Sequence, residues 1–312
     1  IVDCNSGRTM QEAEVDKSQG VENYPENLPT SPNYSRFSRG EVTRSLRAFT
    51  IHQGLWGAWS QMAGLSTAVM TGYALWLGAD ASSVALLSSI VSVMALGQLL
   101  APLIGARFSD EKRFILNTRM TALLLRGSIL SIPFLVPEGY RFTLLVVLLS
   151  ASLLLVQLSS PYLGSWQSNI IPRNIRARFT SRATIVATIS AMVTGIVVGN
   201  FLDAFESTDK RIGFVCVFAA SMLLGWVSNR ALGAAPYPDV EPNSEVFVLS
   251  SIIEPLRDSN FLRAMLFSGS SQFAIGLAAP FFSVYMLEHL RLTYTTISIF
   301  TAINMMASIA GY

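Results

Sequence analysis

From residue 51 onward the chain repeats one pattern, an apolar run of ~20 residues followed by a short connection that holds charges, prolines or both. The first run, residues 54–77, reads GLWGAWSQMAGLSTAVMTGYALWL and has no charged side chain. At ~1.5 Å per residue it reaches ~36 Å, enough to cross ~30 Å of bilayer hydrocarbon as a helix. Ser60, Gln61, Ser66 and Thr67 interrupt its apolar character. Polar groups at that depth need partners inside a bundle or beside water, so this helix is expected to face something other than lipid.

Further runs follow at 82–104, 114–136, 142–163, 184–202, 212–232, 262–287 and 294–312, which makes eight predicted membrane helices. The last run ends with no loop after it and the first residue is Ile rather than Met, so the chain is expected to be a fragment truncated in its eighth helix. Residues 1–50 are polar and carry Pro25, Pro29 and Pro32, with no apolar run of the kind a signal peptide needs; they are read as a disordered cytoplasmic tail. Residues 43–51 mix basic and apolar side chains and suit either a segment on the membrane surface or a solvated linker. A stretch with Pro236, Pro238, Pro242 and Pro255 separates six runs from the rest. The expected organisation is therefore a tail (1–50), a six-helix bundle (51–232), a cytoplasmic linker (233–261) and the start of a second bundle (262–312). Within the linker, 244–253 suits a short amphipathic element.

Charge sets the expected orientation. Arg107, Lys112 and Arg113 lie between the second and third runs; Arg173, Arg176, Arg178 and Arg182 between the fourth and fifth; Arg257 and Arg263 around the start of the seventh. The alternate connections hold only Arg141, the pair Lys210 and Arg211 near Asp203, Glu206 and Asp209, and Arg291. By the excess of Lys and Arg on the cytoplasmic side, the basic connections and the tail, with Arg36, Arg39, Arg44 and Arg47, are expected to face the cytoplasm, with the chain a multi-pass protein of the inner (plasma) membrane.

Composition agrees with the pattern: 51% of residues are hydrophobic, 13% are charged and the mean hydropathy is +0.45. Soluble domains carry about a quarter charged residues. The net charge of +2 points to no nucleic-acid partner. The two cysteines, Cys4 and Cys216, imply neither a disulfide framework nor a metal site, and no cofactor is expected.

An internal repeat is visible at a spacing of about 212 residues. Ser60-Gln61-Met62-Ala63 aligns with Ser271-Gln272-Phe273-Ala274, then Tyr73-Ala74-Leu75 with Tyr285-Met286-Leu287, and Ser82-Ser83-Val84 with Thr295-Thr296-Ile297. Chance similarity among apolar helices is the alternative; the order and near-constant spacing of the matches speak for two parallel halves, a repeat pattern of secondary transporters.

With these features the chain resembles the major facilitator superfamily. That family's signature between its second and third helices is roughly Gly, three residues, Asp, then basic residues around a Gly. Here 105–113 reads Gly105-Ala106-Arg107-Phe108-Ser109-Asp110-Glu111-Lys112-Arg113, the carboxylate one residue late and the second glycine absent. The stretches 166–182 (WQSNIIPRNIRARFTSR) and 255–285 also resemble the matching loop and seventh helix of a bacterial branch of the superfamily. The resemblance implies an all-α integral membrane protein with a major-facilitator-type bundle: the first six-helix half plus the first two helices of the second. It implies a monomer when full length, in contact with membrane lipid and a small-molecule solute, and supplies no substrate.

It further implies that the first, fourth and seventh helices line a central cavity. Gln61 and Gln272 then stand at matching positions, each able to donate to and accept from a solute; bonding to a neighbouring helix is the alternative. Gln157, Ser159 and Ser160 on the fourth helix and Trp59 and Tyr73 on the first are further cavity candidates, the aromatics equally suited to packing or interface anchoring. Gly105, Asp110 and Arg113 are candidates for a cytoplasmic latch, a solvated turn being the alternative. Arg119 and Arg126, seven residues apart, share a face of the third helix, and Arg126 lies ~18 Å into it. No Asp or Glu lies inside the seven complete runs. Arg126 is therefore neutralised by carbonyls, polar groups or an acid elsewhere, or it attracts an anionic solute. His52 and His289 sit near helix ends, so no proton relay is assigned, and no nucleotide loop or clustered Ser/His/Asp pattern suggests an enzyme. A secondary transporter is the first reading; a non-transporting scaffold, a lipid or pigment binder, or a channel are the others.

Overall fold

Helices begin where the sequence provides a side-chain acceptor for free backbone N–H groups. Ser38, Thr67, Asp80, Asp110, Asp209 and Asp258 all stand at N-caps and accept from the first turn behind them. Ser38 and Glu41 form a full capping box, the Glu41 carboxylate accepting from the Ser38 N–H at 2.9 Å. Hydrogen bonds from the hydroxyls of Ser83 and Ser82 and the Ser83 amide hold the exposed Asp80 carboxyl down to about 2.

The structure, a computed structural model, describes residues 38–105, 108, 110–206, 209–238 and 257–309, without the side chains of 39, 81, 85, 88, 105, 206, 272 and 276–280. The expected tail up to residue 37, the expected element at 244–253 and residues 310–312 of the last run lie outside it. Among the described residues the regular elements are helical. They are α1 (Arg39–Ala63), α2 (Ala68–Trp76), α3 (Ala81–Ala95), a 3-10 turn (Leu96–Leu100), α4 (Ala101–Gly105), α5 (Glu111–Gly127), a second 3-10 turn (Ser128–Ser131) and α6 (Ile132–Leu135). Then come α7 (Glu138–Ile170), α8 (Arg173–Glu206), α9 (Lys210–Gly233), α10 (Ser259–Val284), a π turn (Tyr285–His289) and α11 (Tyr294–Ile309).

Four helical stretches among the described residues are long and apolar enough to cross a membrane: Ser82–Ile104, Glu138–Ile170, Arg173–Phe205 and Lys210–Gly233. Large apolar side chains stand exposed along them, Leu99, Leu103, Val147, Val197 and Leu223 among them, as a surface facing acyl chains requires. The predicted first helix differs from the observed one in two ways. It starts earlier, because 39–50 belong to α1 rather than to the tail, and Phe49 is fully buried with its ring edge-on to Trp166 at 5.7 Å. It also breaks in its middle, between α1 and α2. The predicted third helix is likewise divided into α5, a 3-10 turn and α6, where Pro133 removes an N–H from the helical ladder.

The helix α1 packs against α8 and α9, α5 against α7 and α9, α11 against α8, and α10 against α3. The α1–α8 crossing is close: a Cβ on Gly57 would come within 2.9 Å of the Ala187 Cα, so only glycine fits there. One apolar core gathers Trp59, Met70, Tyr73, Leu87, Leu145, Leu149 and Phe218. A second joins Phe49 near the start of α1, Ile115 at the start of α5, Trp166 and Ile170 at the end of α7 and Leu232 at the end of α9. The starts of α1 and α5 therefore share one end of the bundle with the ends of α7 and α9, an up-and-down order for these helices.

Candidate functional site

The break between α1 and α2 lies at the centre of the charge-free run 54–77. Gly64 ends α1 in extended backbone (φ −71°, ψ 145°), and Thr67 starts α2 by accepting from the Met70 N–H at 3.3 Å. The polar residues that looked out of place in this run serve the break. Ser60 donates to the Gly57 carbonyl at 2.7 Å and Thr67 donates to the Gly64 carbonyl at 2.8 Å, while Ser66 is exposed.

A helix end in an apolar setting leaves carbonyls to be satisfied from outside the helix. Arg126, 4% exposed on α5, supplies one donor: its Nη1 bonds the Ala63 carbonyl at 2.8 Å. Its guanidinium also lies over the Trp59 ring, 4.9 Å from the centroid. Trp59 stacks on Trp56, with centroids 4.4 Å apart and planes 26° from parallel, and Arg119 caps the far side at 4.5 Å from the Trp56 centroid. Two tryptophans three residues apart on α1 and two arginines seven residues apart on α5 thus form a column, Arg119–Trp56–Trp59–Arg126. Each cation meets an aromatic face, the partner a desolvated guanidinium finds when no carboxylate is near.

Beside this column is a cavity of about 20 Å³, lined in part by His52, Trp59, Arg119, Ser152 and Asn229, with room for about one water. Buried His52 and Ser228 close its edge: His52 Nδ1 lies 2.8 Å from the Ser228 hydroxyl, and that hydroxyl lies 3.2 Å from the His52 carbonyl. Asn229 donates to the Leu116 carbonyl at 3.1 Å, and its own Oδ1 is buried without a partner. So are Trp59 Nε1 and Arg126 Nε and Nη2. The chemistry collected at the break is rich in donors.

Comparison with family models, with curated proteins and with solved structures gives no match.

The other sequence candidates fall as follows. Gln61 is half-buried one turn before the break and lies near Gly195 of α8, where a Cβ would stand 3.6 Å from its Oε1. Gln272 is on α10, its side chain outside the described residues. The two aligned helices differ, since α10 runs unbroken from Ser259 to Val284 and is followed by a π turn at Tyr285. Gln157 accepts from Gln98 Nε2 at 3.2 Å, joining α7 to the 3-10 turn after α3. Ser159 is buried and bonds the Val156 carbonyl of its own helix. Tyr73 is buried in the core and donates to the Ile129 carbonyl at 2.9 Å, which gives it a packing role.

Of the latch candidates, Gly105 ends α4, and Asp110 and Arg113 pair with each other at 3.0 Å within one exposed turn. The residues between them, Glu111 and Lys112, make cross-bundle contacts, as does Trp166 of α7. Glu111 accepts from the Tyr237 hydroxyl, Lys112 donates to the Ala235 carbonyl at 2.8 Å, and Trp166 donates to the Pro236 carbonyl at 2.8 Å. These contacts fix the segment after α9 against α5 and α7. Burial lowers the Lys112 ammonium below its usual range, partly offset by Asp110. Asp203, weighed in the sequence only as a charge near Lys210, caps α11 from α8: its Oδ1 accepts from Tyr294 N–H and its Oδ2 from Thr295 N–H, both at 2.8 Å. A Gly-Leu-Ser-Thr string inside an apolar run, a stop signal followed by a start signal, was the readable trace of the helix break. The Asp203 and Tyr237 contacts leave no such local trace.

Proposed function

We propose that the protein is a secondary transporter of the major facilitator type, carrying a small solute across the membrane by alternating access. The observation that carries this reading is the interruption of the first apolar run at Gly64–Thr67, at its centre, with Arg126 docked on the freed Ala63 carbonyl. Non-helical backbone at membrane depth is tolerated where protein buries it or where it lines a cavity, and transporters place their solute sites at such broken helices. Gly64 and Thr67 give α1 and α2 a joint about which the halves of the run can move separately. Gln61, one turn before that joint, is the neutral solute contact of this reading, with Gln272 and Gln157 its partners on the seventh and fourth helices. The basic turn at Arg113 and the basic start of α8 lie at the end that holds the start of α1; we place that end in the cytoplasm of the inner membrane.

A scaffold or lipid-binding role on the same fold is the second reading. It is favoured by the small size of the cavity beside the column, about 20 Å³, and by the tight His52–Ser228 contact at its edge. Counterflow in reconstituted vesicles separates the two. A transporter loaded with its solute accumulates labelled solute transiently above equilibrium, whereas a scaffold matches protein-free vesicles for every solute tried.

A further inference from the structure

We infer that the Nε–Nη2 edge of Arg126 is a binding site for a monocarboxylate, and that Trp59 and the Ala63 carbonyl hold it in the receiving orientation. A guanidinium has five N–H donors in a rigid plane; Nε and Nη2 lie on one edge and point in parallel, the geometry that takes both oxygens of a carboxylate at once. In Arg126 the remaining nitrogen, Nη1, is engaged at 2.8 Å by Ala63, and the flat face rests on Trp59 at 4.9 Å. The fork edge is what remains, with both nitrogens buried and without a partner. The ion pairs Arg113–Asp110 and Arg141–Glu138 lie elsewhere and join residues three apart in sequence.

The cost of this arrangement indicates a use. A buried, charged donor left without an acceptor is costly, and a purely structural role for a cation on a carbonyl and a ring needs no second, unpartnered edge. A point-like ammonium would satisfy the Ala63 carbonyl and the Trp59 face equally well; only the fork requires arginine. One guanidinium neutralises one negative charge, so a monocarboxylate fits better than a dianion. Trp59 Nε1, a further buried donor without a partner, adds a third N–H in the same residue group. The edge is enclosed in this conformation, and the helix joint at Gly64–Thr67, whose last helical carbonyl Arg126 holds, is the element whose movement opens it.

The inference rests on the transporter reading only in making the carboxylate the cargo; binding is tested by itself. Purified full chain is titrated calorimetrically with acetate and benzoate, with acetamide and benzamide as uncharged isosteres, and with chloride, all at fixed ionic strength. Saturable binding of a carboxylate, at least ~10-fold tighter than its amide and than chloride, is expected. Arg126→Lys, which keeps the charge and loses the fork, is expected to weaken it ~10-fold or more, and Arg126→Gln to abolish it. Wild-type protein that binds no carboxylate, or binds amide or chloride equally well, overturns the inference whatever the variants do; so does a folded Arg126→Gln that binds as the wild type does. Counterflow of a neutral solute without carboxylate binding keeps the transporter reading and removes this one. Carboxylate binding without counterflow of that carboxylate keeps the site and removes only its role as cargo.

Discussion

The Tyr73 hydroxyl donates to the Ile129 carbonyl at 2.9 Å, tying α2 to the point where the third predicted helix changes its winding. Pro133, four residues beyond Ile129, has no N–H to give in the usual helical pattern. The chain tightens into a 3-10 turn, the Ile132 N–H bonds Ile129, and the carbonyl's second lone pair takes Tyr73. Tyr73→Phe is expected to lower the unfolding free energy in detergent by about 1 kcal/mol. In a Pro133→Ala background residue 133 regains a donor for the same carbonyl, so the loss should shrink. Equal losses in both backgrounds would show that the two residues are uncoupled.

Asp203 places a charged, two-toothed acceptor on the first N–H groups of α11, from a different helix. Asp203→Ala is expected to speed hydrogen exchange at Tyr294 and Thr295 by roughly 10-fold or more, because both amides lose a charge-assisted bond. Asp203→Asn, which keeps one acceptor oxygen, should protect one amide and release the other. Exchange that is unchanged in Asp203→Ala would remove this capping role.

Tyr237 connects the segment after α9 to Glu111, and its phenol is pushed well above its ordinary range, first by burial and then by the hydrogen bond to Glu111. The sign for stability follows from linkage. The folded protein holds the phenol proton more tightly than the unfolded chain, so this contribution is complete below about pH 10 and is lost as pH rises beyond it. Stability measured from pH 8 upward should therefore fall more steeply above about pH 10 in wild type than in Tyr237→Phe. Parallel curves would count against it.

Most of the helix inventory was legible because it depends on composition over a window. A window of ~20 mostly apolar residues without charge buries or faces lipid in whatever way its neighbours pack, and Asp or Ser before such a window marks its start. The four long apolar helices follow from that. The extension of α1 back to Arg39 is not legible locally, because mixed basic and apolar side chains suit a surface segment or a solvated linker equally; Phe49 and Ala48 bury against Trp166 and the end of α9, which only packing reveals. Asp110 and Arg113 drew attention as a charged motif, while the neighbouring Glu111 and Lys112 make the long-range contacts, since facing direction depends on how α5 sits on α7.

Arg126 shows the division most plainly. Sequence alone established a charge deep in an apolar segment with no acid in any complete run, because counting residues and multiplying by the helical rise needs no neighbour. It leaves open whether carbonyls, polar groups, an acid elsewhere or an anionic solute meets that charge. The tertiary structure answered half of that, placing Nη1 on Ala63 and the plane on Trp59, and left the fork edge free. That outcome needed α1 to stop at Gly64 beside α5, a contact between residues 63 positions apart. Local sequence encodes where a helix can stop; only the packed bundle decides which side chain meets the carbonyl left behind.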